Sequence, residues 1–453
     1  AVARSKLVVV VFLVALAGAV YGITQIRIND NPVKWFAPNH EIRVADRALN
    51  QRFGGTYMAY LALSASQEDD AGAMADEIDK QLAGLATPAA QNLAREAREQ
   101  SAKAGSADEL LATLRASAET ARDASSGDDD WYAWDDTLLA LDAAAQSRGI
   151  FKSPEVLRYI EKLQLYLGET GLVGKSNSLT DIVKTVHRDL LLGNEEAFRI
   201  PDTRAAVAQT LITFQNSHRP QDLFKLVTPD YRKSVVWLQL KSGDNVDMSA
   251  VIDAVDKYFV ENPPPQAISH DWFGLTYINV VWQDRMVSGM ARAFLGSFII
   301  VLILMTLLFR SFAWGLLSMA PLTITIGIIY GAIGLIGKDY DMPVAVLSSL
   351  SLGLAIDYAI HFNVRSRQLY RKFGDWTQTA KAAFGEPARA IFRNVVVIGA
   401  GFLPLLLAPL VPYQTVGVFI SAILVLAGVA TLLLTPALIT VFQKSLFPER
   451  SVK

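Results

Sequence analysis

The sequence predicts an α-helical membrane protein with six transmembrane helices in a one-plus-five arrangement and a large α+β domain outside the membrane. Three observations lead there. The 453 residues are 51% hydrophobic and only 19% charged, their apolar residues gather into long runs near the two ends, and a polar stretch of chain separates those runs. A single soluble globule does not distribute its residues in that way.

A helical span needs roughly 20 mostly apolar residues, and Leu7 to Ile26 supplies the first. Arg4 and Lys6 precede it, as they would in a signal peptide. Its length and the lack of a small-residue cleavage site favour a retained span. The other five follow in quick succession: Phe294 to Phe309, Trp314 to Ile336, Met342 to Phe362, Val395 to Val411 and Val416 to Phe442. Pro404, Pro409, Pro412 and Pro436 either kink the last spans or mark their ends.

Lys and Arg fix the orientation. Arg4 and Lys6 before the first span, Arg310 after the second, and Lys444, Arg450 and Lys453 after the last belong on the cytoplasmic side. The loop after the fourth span adds Arg365, Arg367, Arg371, Lys372, Lys381, Arg389 and Arg393 against only Asp375 and Glu386, and alternation puts it inside as well. Residues 27–289 therefore lie outside the cytoplasm, with a bacterial inner membrane and its periplasm as the natural setting. No cysteine occurs, so neither disulfides nor a thiolate metal site is expected. A net charge of −2 and the lack of an outward-facing basic cluster give no support to nucleic-acid binding.

Within the exported segment, Thr56 to Ala65 reads as a strand with Tyr57, Ala59, Leu61 and Leu63 on one face. From Asp69 to about Gln146 the chain is rich in Ala and charged residues, with Met74, Ile78, Leu82 and Leu85 at helical spacing, and predicts an insertion of two or three amphipathic helices. Ser153-Pro154 and the pair Ser178 and Asp181 read as helix starts. Tyr231 to Leu240 alternates as a strand, Ser249 to Val260 as a helix, and Ala267 to Leu275 again as a strand. Strand, helix and strand around a helical insertion suggest the split βαβ type. No nucleophile with its base, phosphate loop or metal cluster is visible, and His187, His218 and His270 read as ordinary histidines. An enzyme and a resident cofactor are not expected.

The informative residue is Asp357, within Ser348 to Phe362, SSLSLGLAIDYAIHF. A carboxylate here costs about 3 kcal/mol on insertion, which is tolerated when it faces protein or a wet cavity and has a partner. Gly353 lies four residues before and His361 four after, on the same helical face, and Tyr358 follows directly. A small residue permits close helix approach, and a carboxyl removed from bulk water has its pKa pushed upward. Asp357 then carries protons, or it merely hydrogen-bonds a neighbouring helix; His361 supports the relay, or it is an interface residue.

Gly353, Asp357 and Tyr358 resemble the Gly-x-x-x-Asp-Tyr motif in the fourth helix of the mycobacterial large membrane protein and hopanoid exporter branch of the resistance-nodulation-division superfamily. Asp30 to Phe36, DNPVKWF, and Phe53 to Tyr60, FGGTYMAY, look like the start of that family's porter domain. The resemblance implies a first span over 1–26, a periplasmic porter-like domain over 27–289 with its helical insertion at about 69–146, and a five-helix bundle over 290–453 similar to a sterol-sensing domain. It further implies that Asp357 and Tyr358 form the proton-translocating pair and that lipids or other hydrophobic molecules are the substrates. The family's complete transporters carry twelve spans. A six-span chain starting at Ala1 is therefore expected to be a half, a processed chain or a fragment, completed by a second half or by a homodimer, with a periplasmic adaptor as a further possible partner. Two departures stand out: six spans in place of twelve, and no other clear acidic or basic residue in the spans to pair with Asp357; the stretch Asn394-Val395-Val396-Val397-Ile398 around the start of the fifth span also lacks the hydroxyl residues common there in the family.

The reading that follows is export of a hydrophobic substrate driven by the proton motive force. Its rivals are a lipid-binding or sterol-sensing-like scaffold without transport, and a proton-driven accessory factor for protein export.

Overall fold

The computed structural model describes residues 2–65 and 70–447, leaving aside the side chains of Ser348 and Ser349. Asp69, Arg450 and Lys453, used above for the insertion boundary and the orientation, lie outside the described residues. The chain divides into two compact units: residues 1–48, 243–247 and 278–453 form the first, and 49–242 with 248–277 the second. These divisions fall elsewhere than the expected 26/27 and 289/290.

In chain order, α1 (Ser5–Ile23) is followed by α2 (Glu41–Phe53) and β1 (Tyr57–Ala65). Four helices come next, α3 (Ala71–Leu82), α4 (Pro88–Ser101), α5 (Ala107–Asp123) and α6 (Asp128–Ser147), then α7 (Pro154–Glu169) and β2 (Val173–Asn177). After α8 (Leu179–Leu190), α9 (Arg204–Gln215), β3 (Lys233–Leu240), α10 (Asn245–Glu261) and β4 (Ile268–Phe273), the chain is helical almost throughout. Its last helices are α11 (Leu275–Phe309), α12 (Phe312–Leu335), α13 (Met342–Phe373), α14 (Trp376–Ala383), α15 (Glu386–Phe402), α16 (Val411–Val441) and the short α17 (Gln443–Leu446).

The second unit holds a four-stranded sheet in the order β2-β3-β1-β4, every neighbour antiparallel, which is the strand order of a split βαβ fold. One face is dry: Ala59, Leu61 and Leu63 of β1 and Val236, Leu238 and Leu240 of β3 are fully buried, as period-two alternation requires. The anticipated strands shorten by one or two residues at their ends. The edge strand β2, VGKSN, has no apolar alternation to betray it. Gly174 is required there, because a Cβ would collide with the Gly54 carbonyl. At α8, Ser178 and Asp181 form the expected capping box, whereas Ser153 makes no side-chain cap.

The Ala-rich insertion forms four helices, not two or three. Short turns at Gly84, Gly105 and Gly127 divide it, and side chains of Asp70, Thr87 and Ser106 cap α3, α4 and α5. The four bury Met74, Ile78, Leu93, Leu110, Leu114 and Leu141 against one another. Each helix gives its apolar stripe to this core and its charges to the outside.

Among the described residues, six helices, nearly all of their length in the first unit, are long and apolar enough to cross a membrane. They include the five later spans foreseen from the apolar runs, but α11 begins well before Phe294 and α13 runs eleven residues past Phe362. The basic loop is therefore largely helical. α1 packs along α12 through small residues: a Cβ on Gly22, Gly331 or Gly334 would run into the facing backbone. Trp314, Leu322, Leu352, Phe362 and Leu424 form the centre of the bundle where α12, α13 and α16 meet.

A polar knot ties the segment after α1 to this unit. Ile28 bridges Tyr340 and Phe36 bridges Leu410. The Asn29 amide donates to Asp339 at 2.9 Å and the Asn31 amide to Asp244 at 2.8 Å, while Asn245 donates to Gln283 at 2.7 Å. These bonds bring 27–48 and 243–247 into the first unit. Burial pushes the Asp244 carboxyl upward, but the Lys34 ammonium at 2.6 Å and the Asn31 amide outweigh it and hold it below the usual carboxylate range. Asp30, with only the Trp35 indole N–H at 3.0 Å as a side-chain donor, is raised by burial and further by Asp341.

Candidate functional site

The site is built on α13. Asp341 caps its start, accepting from the Val344 N–H at 3.2 Å, and Pro343 fits the first turn, where no N–H is needed. Gly374 ends it in the left-handed conformation at φ 70°. At a rise of ~1.5 Å per residue Asp357 stands roughly 22 Å from the start, well inside a hydrocarbon core of about 30 Å.

One face of this helix is open. Val346, Leu350, Gly353, Asp357, His361 and Arg365 recur every three or four residues and all are exposed, although more than half of the span's most apolar window is buried. Gly353, expected to admit another helix, meets no other element among the described residues within 4 Å of where a Cβ would stand. Asp357 and His361 accept and donate no hydrogen bond among the described residues. Tyr358 is turned inward: it is 2% exposed and its hydroxyl has no hydrogen-bond partner among the described residues. The adjacent acid and phenol stand about 100° apart round α13, one exposed and the other buried, and do not bond to each other.

Between α13 and α15 lies a cleft of ≈ 580 Å³, lined by Tyr358, His361, Arg365, Glu386, Ile391 and Asn394 among others. It gathers two of the anticipated site residues with two that sequence reasoning missed. Glu386 had been counted only in the charge balance of its loop, although it is one of just two acids among seven bases there. Asn394 had been noted only as the place where a hydroxyl was absent.

Behind the cleft, the interior of α13 is polar. The Asn363 amide donates to Ser318 Oγ of α12 at 2.8 Å, and Ser318 in turn donates to the Trp314 carbonyl at 2.9 Å. Arg367 donates to the Phe309 carbonyl at 2.8 Å, with its guanidinium 5.3 Å from the Trp314 ring centre.

Comparison with known proteins agrees with this architecture. A "Putative membrane protein" of Methanocaldococcus jannaschii is 25% identical over 299 residues, covering 66% of this chain and 74% of its own length. A "Probable transport protein MmpL4" of Mycobacterium leprae is 29% identical over 342 residues, and a "Putative membrane protein" of Streptomyces coelicolor 26% over 235. The chain spans only about a third of those two, 34% and 32% of their lengths. The MMPL family model matches residues 171–453, which include the last three strands, all five later spans and the whole of α13. On that match the chain belongs to the MMPL family, the branch to which Gly353, Asp357 and Tyr358 had pointed.

Proposed function

We propose that the chain is half of a secondary transporter that moves lipid or other hydrophobic substrates at the expense of the proton motive force. The observation that carries this reading is the open face of α13. An ionisable stripe of Asp357, His361 and Arg365 on a membrane-spanning helix is costly against lipid. Protein covers it in the working assembly, through a second six-helix half or a second copy of the chain. Asp357 then lies between two halves, where a proton reaches it from one side and leaves to the other. Gly353, with no other element against it among the described residues, is where the second half comes closest.

In this assignment Asp357 carries the proton, Tyr358 continues the route into the bundle, and His361 supports the relay beside the cleft. The basic ends support a reading in which the membrane is a bacterial inner membrane and the sheet-bearing second unit is periplasmic. A membrane potential of 100 mV supplies about 2.3 kcal/mol per charge moved, enough to bias how the spans pack. The "transport protein" among the relatives supports the class of activity.

The test is substrate-dependent proton flux in proteoliposomes with candidate lipids, wild type against Asp357→Asn. Flux lost in a folded, assembled Asp357→Asn protein supports the relay. Equal flux in both removes Asp357 from the route and favours a lipid-binding scaffold. Binding of unfolded polypeptide to the second unit would favour a protein-export accessory instead.

A further inference from the structure

The described residues contain seven buried side-chain polar atoms without a hydrogen-bond partner, and five of them lie in two adjoining membrane helices. They are the Tyr358 hydroxyl, Asn363 Oδ1 and Ser366 Oγ of α13, and Thr431 and Thr435 Oγ1 of α16. Ser318 of α12, bonded to Asn363, joins α12 to the set. All six residues are at most 2% exposed.

Their placement is ordered. Thr431 and Thr435 are one turn apart on one face of α16. Ser366 lies ~80° round α13 from Tyr358 and roughly 12 Å farther along its axis. Both helices run toward the basic end of the bundle, where Thr440 accepts from the Trp376 indole at 2.8 Å. Two prolines add acceptors: Pro321 of α12 and Pro436 of α16 are buried inside their helices. Each lacks the N–H that its helix would give to the carbonyl four residues earlier, Leu317 and Leu432. Those carbonyls neighbour Ser318 and Thr431 in sequence.

A buried polar atom left dry costs its full desolvation penalty, and five in one small region would weigh heavily against the net stability of a domain. Native interiors meet such a demand with ordered water, which bridges otherwise unpartnered groups. We infer that Tyr358, Asn363, Ser366, Thr431 and Thr435 line a chain of bound water inside this half, and that this chain is the cytoplasmic arm of the proton route. The inference rests on the proton-relay reading above and adds a path that runs within one half, not along the face between halves. A proton entering beside Tyr358 is handed from water to water while another leaves at the cytoplasmic end, so no residue of the track changes its charge.

The experiment has two arms in the reconstituted full-length assembly. Radiolytic footprinting in ¹⁸O-labelled water should label Tyr358 and Phe362, buried though they are, and labelling should fall in Thr431→Val/Thr435→Val. Proton flux should fall by on the order of tenfold in that variant and in Asn363→Leu, and Thr435→Ser should restore it. A dry interior predicts the opposite: the isosteric valines, relieved of unpartnered hydroxyls, raise the melting temperature and leave labelling and flux unchanged, which overturns the proposal. Normal flux in the valine variant alongside lost flux in Asp357→Asn overturns the track as a route while the relay stands. Normal flux in Asp357→Asn removes the relay and the route together.

Discussion

The four-helix insertion α3–α6 and the bundle around α13 are both helical, but they sort their residues in opposite senses. In the insertion, Leu93, Leu110 and Leu114 are fully buried and the charges face out. In the bundle, Leu307 and Val397 face out while Asn363, Ser366, Thr431 and Thr435 are buried. Water makes exposed apolar surface costly; lipid removes that cost and makes exposed polar groups costly instead. An exposed Asp is thus unremarkable on α3 and informative on α13. The same observation carries different weight in the two regions because the solvent differs.

Several substitutions would break or sharpen that contrast. Leu114→Asp puts an unpaired charge into the insertion core and should cost more than about 4 kcal/mol, read as loss of the folded second unit in a denaturant melt. The chemically similar Leu307→Asp, on a lipid-facing position, should instead appear as failed membrane insertion. Next comes Gly331→Leu, which drives a side chain into α1 and should cost about 3 kcal/mol or more, measured by steric trapping in bicelles. Leu307→Ala on the exposed side of α11 should be close to neutral in the same assay.

Asp357→Leu tests the contrast at its centre. It should improve insertion of an α13 segment by about 3 kcal/mol on the translocon scale, while abolishing proton flux. If insertion does not improve, the acid is not at membrane depth.

The smallest effect is expected at Asp30. Burial raises its folded pKa above the ordinary 3.8. The carboxyl therefore contributes stability fully below that value and loses it as pH rises through the folded pKa. Asp30→Asn mimics the protonated form, so it should raise the melting temperature slightly near neutral pH and converge on wild type in acid. Asp244→Asn should behave oppositely, because its depressed pKa contributes stability above 3.8 that is lost as pH falls through the folded value.

Much of the scaffold is legible in the sequence because it rests on local pattern. The apolar runs locate the spans to within a turn or two, except where α11, α13 and α15 extend as helices beyond the apolar stretch and where α15 ends at Phe402, short of the expected Val411, which hydropathy alone does not register. The strands β1 and β3 show in their alternation, while β2 is too short and too polar to show. The candidate site is legible as a motif but not as geometry. Four-residue spacing correctly groups Gly353, Asp357 and His361 on one face, yet no local rule tells whether that face is turned inward or outward. That depends on which side of α13 meets α12 and α16. Ser366, Thr431 and Thr435 pass unnoticed because hydroxyls cost little in hydropathy, and Asn363 because it follows the apolar run at Phe362; only their joint burial makes them conspicuous. Glu386 was visible as the odd acid in a basic stretch.

The close backbone contact between α1 and α12 has a consequence for biogenesis. Roughly 290 residues separate the two helices, so at about 5–20 residues per second α1 waits some 15–60 s in the bilayer before its partner is made. Beyond Lys6 it carries no charged residue, as a helix left alone in lipid must. The buried Ser318, Asn363, Ser366, Thr431 and Thr435 sit on α12, α13 and α16, which leave the ribosome in closer succession and can shelter one another soon after they appear.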